Sequence, residues 1–428
     1  FKDLIITPIY FFLLSLTAYV IRPYVTTPQT RRFFLPALWV KFAGAILMGL
    51  LYQFWYGGGD TFNYFTHGSR WIWEAFNADF MTGLQLLFES GGPDRQPETF
   101  QYSQHIWYYR DPNSFFVVRI VAFFDLLTFH TYSATALFFA AFSFSGMWAF
   151  FSAVAKKYPA NLRLLAIAIL FVPSVAFWGS GILKDTITLG ALGWLTYAMI
   201  HIIDLRDRGV AYWLTAVFAA LLILNIKIYI LICYLPTLVI WVYWKQIRAV
   251  RSTVIRILVA PILLLFFGLI GFSVLNQVSS QTDKYSLDAI AEQAAITSYD
   301  IRYGWGARTG GDGGYDLGVL DGSWQSMFRL MPAAVNVSLF RPYIWEVRNP
   351  LMLLSALESL ALVILTLWGG LFRSNYQKIF QDPFLIFCLV FSLLFAFAVG
   401  VSTFNFGTLM RYKIPMLSFY LVSLSNIK

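Results

Sequence analysis

Residues 187–203 read ITLGALGWLTYAMIHII, an uncharged run preceded by Lys184 and Asp185 and followed by Asp204, Arg206, Asp207 and Arg208. Such a run is close to the ~20 apolar residues that carry a helix across a hydrocarbon core of ~30 Å. Runs of the same kind recur at 4–21, 33–55, 132–154, 162–178, 212–224, 229–244, 253–275, 351–371, 383–401 and 409–425. Because lipid leaves no water for open backbone groups, runs of this length and number predict helices and not strands. The expected fold is therefore all-α. It is a polytopic integral membrane protein with about 11 transmembrane helices, organised as one transmembrane domain over residues 1–428.

The charges sort by gap. Arg22, Arg31, Arg32, Lys156, Lys157, Arg163, Arg206, Arg208, Lys245, Arg248, Arg251, Arg256, Arg373, Lys378 and Lys428 fall in or beside alternate gaps. Only three acids, Asp204, Asp207 and Asp382, share those gaps with them; the other 19 of the 22 lie elsewhere. The bias of Lys and Arg toward cytoplasmic loops assigns these gaps to the cytoplasm. The N-terminus is then outside and the C-terminus inside. Run 115–129 is shorter and carries Arg119 and Asp125, and a crossing there would invert every later loop. It reads as a helix dipping into the outer leaflet.

Composition agrees, with 58% hydrophobic and 12% charged residues excluding a soluble globule. The net charge of +9 sits mostly in short inner loops and reports orientation, not nucleic-acid binding. Cys233 and Cys388 lie inside apolar runs and read as packing residues. Run 4–21 lacks a small-residue cleavage site and reads as a span, not a signal peptide.

Three outer segments are long or polar enough to hold a site. Segment 56–114 opens on Gly57-Gly58-Gly59-Asp60-Thr61-Phe62-Asn63-Tyr64 and continues into 69–88, whose aromatic and aliphatic residues recur with a helical period. An amphipathic helix on the outer interface is expected there. Segment 173–185 holds Trp178-Gly179-Ser180-Gly181 before Lys184 and Asp185, a tight turn or broken helix at membrane depth. Segment 276–349 has a polar, glycine-rich first half that reads as a mobile loop. Its second half, 324–345, reads as a re-entrant or interfacial hairpin.

Asp60, behind three glycines at the outer boundary, is placed to take a proton from a hydroxyl, the role of a general base. A helix-capping aspartate is the competing reading. Lys184 is a cation able to hold a lipid-linked phosphate with Asp185 orienting it, against an ordinary interfacial ion pair. Lys227 leaves a further cation on the apolar rim between runs 212–224 and 229–244. Arg302, Arg308, Arg341 and Arg411 are outer-side cations; at the depth of Arg411 a guanidinium requires a carboxylate or an anionic ligand. Glu358 is the expected protein partner. His67, His105, His130 and His201 lack metal-ligand spacing, although a divalent cation between carboxylate and pyrophosphate stays open.

These motifs resemble polytopic glycosyltransferases of the GT-C superfamily and the related polysaccharide polymerases of bacterial envelopes. Asp60 ahead of interfacial helices carries the resemblance, as do Pro173-Ser174 and Trp178 leading to Gly181-Ile182-Leu183-Lys184-Asp185. Arg411-Tyr412-Lys413-Ile414-Pro415 and Leu339-Phe340-Arg341-Pro342-Tyr343-Ile344-Trp345-Glu346 add to it. The sequence departs from that pattern in having a single acid, placed after the second span and not the first. The resemblance implies a bacterial inner membrane enzyme whose active side faces outward. Asp60 would be its base, and Lys184, Arg341 and Arg411 would hold the phosphate of a polyprenyl-linked sugar or glycan. Arg302, Arg308, Tyr64 and Trp178 would contact the acceptor or a gate formed by residues 279–321. A transporter or flippase of lipid-linked glycans, and a non-catalytic subunit with partner proteins in an envelope assembly, are the competing classes. The topology predicts that a cysteine at Gly311 labels from outside intact cells and one at Lys157 does not; the reverse pattern would overturn it.

Overall fold

The computed structural model describes residues 2–207, 209–249, 314–318, 320–372 and 376–425, with single positions 292, 295, 296 and 299. Among the described residues every regular element is helical, and an isolated bridge pairs Gly314 with Asn405. The chain forms two compact units, residues Phe1–Leu162 with Val175–Lys227, and residues Arg163–Ser174 with Ile228–Lys428.

The first unit is built from α1 (Lys2–Val25), α2 (Arg31–Phe54), α8 (Tyr132–Lys157) and α11 (Lys184–Ile203), with α8 packed against the other three. Glycine decides the closest crossing. A Cβ on Gly146 of α8 would lie 1.8 Å from the carbonyl oxygen of Gly190 on α11, and one on Gly193 would lie 2.4 Å from that of Gly146. Lipid tails supply no hydrophobic drive for helix association, so close backbone approach between small residues takes its place. Phe34 of α2 then meets Phe144 and Trp148 of α8 edge-on, at 5.1 and 4.7 Å. In α1 only Thr7 and Ala18 are buried, so most of its surface is open to the membrane.

Between α2 and α8 lie short elements: α3 (Asp60–Tyr64), a π-turn (Phe65–Ser69), α4 (Arg70–Ala78), α5 (Phe80–Phe88), α6 (Phe100–Ser103) and α7 (Pro112–Leu127). The single amphipathic helix expected over 69–88 is divided at Asp79. That residue leaves the helical region (φ −152°, ψ 124°) and accepts from the backbone N–H of Thr82 at 2.7 Å, capping α5. Residues 115–127 of run 115–129 fall in α7, whose 16 residues are short of a crossing, and its Asp125 is fully buried.

Proline and lysine break two further runs. Run 162–178 becomes α9 (Leu162–Leu170) and α10 (Pro173–Trp178), because proline disfavours helical dihedrals at the residue before it. Runs 212–224 and 229–244 join in α12 (Val210–Ala249), whose helical dihedrals fail at Lys227 alone (φ −145°, ψ 75°). Its 40 residues are about twice what one crossing needs, and the break at Lys227 divides them into two apolar arms.

The second unit contains α9, the second arm of α12, α13 (Trp324–Arg329), α14 (Met331–Phe340), α15 (Pro350–Phe372), α16 (Pro383–Thr403), α17 (Phe406–Tyr412) and α18 (Ile414–Ser425). Over 324–345, which read as a re-entrant or interfacial hairpin, the structure has two consecutive short helices, α13 and α14. Gly400 lets α14 approach α16, since a Cβ there would sit 2.3 Å from the carbonyl oxygen of Ala334. Trp241 and Tyr234 of α12 pack on Phe384, Phe387 and Phe391 of α16. Among the described residues, seven helices are long and apolar enough to cross a membrane: α1, α2, α8, α11, α12, α15 and α16. Two of the eleven expected runs are not single long helices here: 162–178 is split into α9 and α10, and 409–425 is divided between α17 and α18. Runs 212–224 and 229–244 are the two arms that meet at Lys227 in α12. Run 253–275 lies outside the described residues, as do Arg302, Arg308 and most of the expected gate.

The α8–α11 crossing generates a stability prediction. Gly146→Val forces a methyl group against backbone and is expected to destabilise by about 1–3 kcal/mol or more. It should lower the unfolding temperature of the detergent-purified protein, whereas Leu47→Ala, on an exposed face of α2, should leave it near the wild-type value. Equal melting of all three proteins would contradict the tight crossing.

Candidate functional site

Gly57, Gly58 and Gly59 all adopt positive φ (65°, 137° and 127°), and the N–H of Gly58 bonds the carbonyl of Tyr52 at 2.8 Å. Gly59 is the N-cap of α3, and its carbonyl accepts from Phe62 and Asn63. Asp60 is thus the first residue inside the helix, and the capping role belongs to glycine. One oxygen of Asp60 accepts from the hydroxyl of Tyr108 at 3.5 Å, and the amide of Asn63 reaches the same hydroxyl at 3.4 Å. Tyr64 tilts against the Tyr108 ring at 4.7 Å.

Lys184 opens α11. Its ammonium donates to Asp111 at 3.5 Å, and the charges acting on it are those of Asp111, Lys227 and Asp60. Asp111 also caps α7, accepting from the backbone of Asn113 and the hydroxyl of Ser114. Asp185, expected to orient Lys184, instead meets Lys227 at 2.5 Å, with both side chains buried. Trp178 packs beneath this assembly with Phe177 and Phe62, against the cluster of Met48, Tyr52 and Leu183. Four separate stretches thus bring Asp60, Asp111, Lys184, Asp185 and Lys227 to one end of the first unit. At the other end of α8 and α11, Lys157 pairs with Asp204 at 2.5 Å.

The remaining expected residues lie in the second unit. Arg341 is enclosed by the rings of Tyr315, Tyr343 and Phe406 at 5.3 to 5.9 Å. Its Nε donates to both oxygens of Glu346 at 3.0 Å. That hydrogen bonding holds the guanidinium more firmly charged than usual. Burial pushes the Glu346 carboxyl up, but the bonds from Arg341 and from the Tyr343 N–H outweigh it and hold the group below its ordinary range. A phosphate at Arg341 would have to displace this carboxylate. Arg411 lies over the ring of Tyr412 at 5.3 Å. Glu358 accepts from the backbone N–H and hydroxyl of Ser174, and the basic group whose interaction with it is resolved is Lys413. Lys413 itself is fully buried and donates to Ser359 at 3.4 Å.

Several residues were not singled out from sequence. Lys41, near the middle of α2 and 2% exposed, donates to Ser143, Val175 and Gly179 at 2.8 to 3.1 Å. A lone cation inside an apolar run was its visible signal. Buried Asp125 binds His130 at 2.6 Å and Ser69 at 3.0 Å. Asp111 and Tyr108 carried no signal, since only tertiary contact gives them their place. His67 and His105 stack on Trp107 and Trp71. Among the described residues no three His, Cys, Asp or Glu side chains converge as a metal site.

Against this geometry, comparisons with protein-family models, curated proteins and solved structures find no match.

The Asp185–Lys227 pair makes a separable prediction. Lys227→Met strands a buried carboxylate and should cost about 3–5 kcal/mol of unfolding free energy. Adding Asp185→Leu removes the stranded charge and should restore most of that loss. If the double variant is as unstable as the single one, the pair is not what the break in α12 rests on.

Proposed function

We propose that this chain transfers a glycosyl group, or polymerises glycan, at the outer membrane surface from a polyprenyl-phosphate-linked donor. The carrying observation is the assembly of Asp60 and Lys184 at one end of α11, with Asp111 and Tyr108 between α3 and α7. A carboxylate and an ammonium within one electrostatic neighbourhood are the two groups that such a transfer needs. An acceptor hydroxyl gives its proton to Asp60 while its oxygen attacks the anomeric carbon. The carbon–oxygen bond to the donor phosphate breaks, and Lys184 stabilises the departing lipid phosphate. Tyr108, part-buried beside Asp60, offers a ring face to a sugar, with the buried Tyr64 packed against it. An outward site has no access to cytoplasmic nucleotide sugars, so a lipid must bring the donor. Arg341 and Arg411 belong to the second unit, where Arg341 is held by Glu346, and the reading does not rest on them.

A lipid-linked glycan transporter is the second reading. It is favoured by the buried charges within apolar helices, Lys41, Lys413 and the part-buried Glu358.

Mass spectrometry of lipid-linked glycans in membranes matched for expression tests the proposal. Asp60→Asn should accumulate the polyprenyl-linked donor and lower product by roughly 10²–10⁴-fold, the usual contribution of a general base. An unchanged lipid-linked pool and product would refute a catalytic Asp60 and favour the transporter or subunit classes.

A further inference from the structure

The first unit has a partly open cavity of about 1050 Å³ toward the end of α11 away from Lys184. Its size is at or above the upper end of the usual range for small-ligand sites, roughly 300–1,000 Å³. One face of α1 lines it through Leu14, Ala18 and Ile21; α2 supplies Phe34, Leu38 and Phe42. Helix α1 is tied down at both ends: Asp3 accepts from the backbone N–H of Ser133 at 2.8 Å, and the carbonyl of Val25 accepts from the indole of Trp148 at 3.0 Å. The space between is held open by two anchored ends, with few side chains of α1 buried.

The walls are apolar, and the mouth is polar. The α1–α2 loop closes it with Thr26, Thr27 and Gln29, and Lys156 stands at the rim. Lys156 and Lys157 differ in commitment. Lys157 is paired with Asp204, while Lys156 is exposed and has no ion pair among the described residues. His201 also lines the cavity. Its Nδ1 lies 3.0 Å from the carbonyl of Tyr197, so that nitrogen carries the proton and Nε2 is left for an occupant.

An apolar void of this size in a membrane forfeits dispersion contacts along its whole lining, and its apolar walls do not hold water. A molecule with a long hydrocarbon chain recovers those contacts, and an anionic head answers the uncommitted cation at the mouth. We infer that this cavity binds an anionic phospholipid of the surrounding membrane, its acyl chain between α1 and α2 and its phosphate at Lys156. The site is at the opposite end of α11 from Asp60 and Lys184 and does not depend on the glycosyl-transfer reading.

Native mass spectrometry of the full chain in mild detergent is the test, with phosphatidylglycerol and phosphatidylcholine of identical acyl chains as probes. Wild type should retain a phospholipid and prefer phosphatidylglycerol. Ala18→Trp fills the cavity and should lower retention roughly tenfold, with the melting temperature showing that the variant is folded. Lys156→Gln, a change at an exposed position, should abolish the preference between the two heads while retaining lipid. This second variant decides the matter if Ala18→Trp does not fold. Undiminished retention in folded Ala18→Trp, an unchanged head preference in Lys156→Gln, or a lipid-linked glycan as the retained molecule would overturn the inference.

Discussion

The buried pair between Asp185 and Lys227 holds together the end of the first unit that carries Asp60 and Lys184. Neither charge is tolerable alone at that burial, so the first turn of α11 and the break in α12 must stay together. The requirement also explains why a helix of this length loses its regular dihedrals at a lysine and not at a glycine or proline. With Asp185 occupied, Lys184 is left facing Asp111 at the longer distance of 3.5 Å. Adjacent residues of one sequence motif therefore do different work. Asp185 is committed to a buried pair, and Lys184 makes the longer contact with Asp111.

The same constraint recurs wherever a polar group lies deep. Lys41 uses backbone carbonyls near the end of α10, where Val175 and Gly179 offer oxygens beside the Ser-Gly turn. Glu358 is held by the N–H and hydroxyl of Ser174, at the start of α10. Both ends of this short broken helix are thus served by ionisable side chains from elsewhere within their own unit. Irregular backbone survives in a membrane only with such partners, which makes the break after Leu170 a stabilised feature and not a defect.

Much of this architecture was legible because hydrocarbon imposes a length rule. Runs 4–21, 33–55, 132–154, 187–203 and 383–401 each became one helix with ends close to those expected. The rule fails where a run is interrupted by one residue, because a window average does not register a single break. Pro173 and Lys413 are such residues, and each lies where an expected run is divided. Asp60 and Lys184 were visible through their glycine-rich surroundings, and the structure places them in one neighbourhood. Asp111 was invisible for a physical reason: a loop aspartate before Pro112 looks like an ordinary helix cap. It is a cap, and its second role exists only because α7 and α11 meet. Asp79 shows the converse, since Asp79 followed by Thr82 is a capping pattern that a hydrophobic period alone overlooks.

The glycine crossing of α8 and α11 connects the two ends of the first unit mechanically. Helices in contact through backbone cannot slide without steric collision, so their relative register is fixed more tightly than side-chain packing alone would fix it. Asp185 and Lys184 lie at one end of α11; His201 and Asp204 lie at the other, beside Lys156 and Lys157 of α8. A change of register would move the Lys184–Asp111 contact and the Lys157–Asp204 pair together. The cavity beside α1 has this rigid pair as one wall, through Phe144 and Trp148 of α8 and Trp194 and Tyr197 of α11, and α1, with few buried residues, as another. Its volume is accordingly the part of the first unit that can adapt to an occupant while the charged end keeps its geometry.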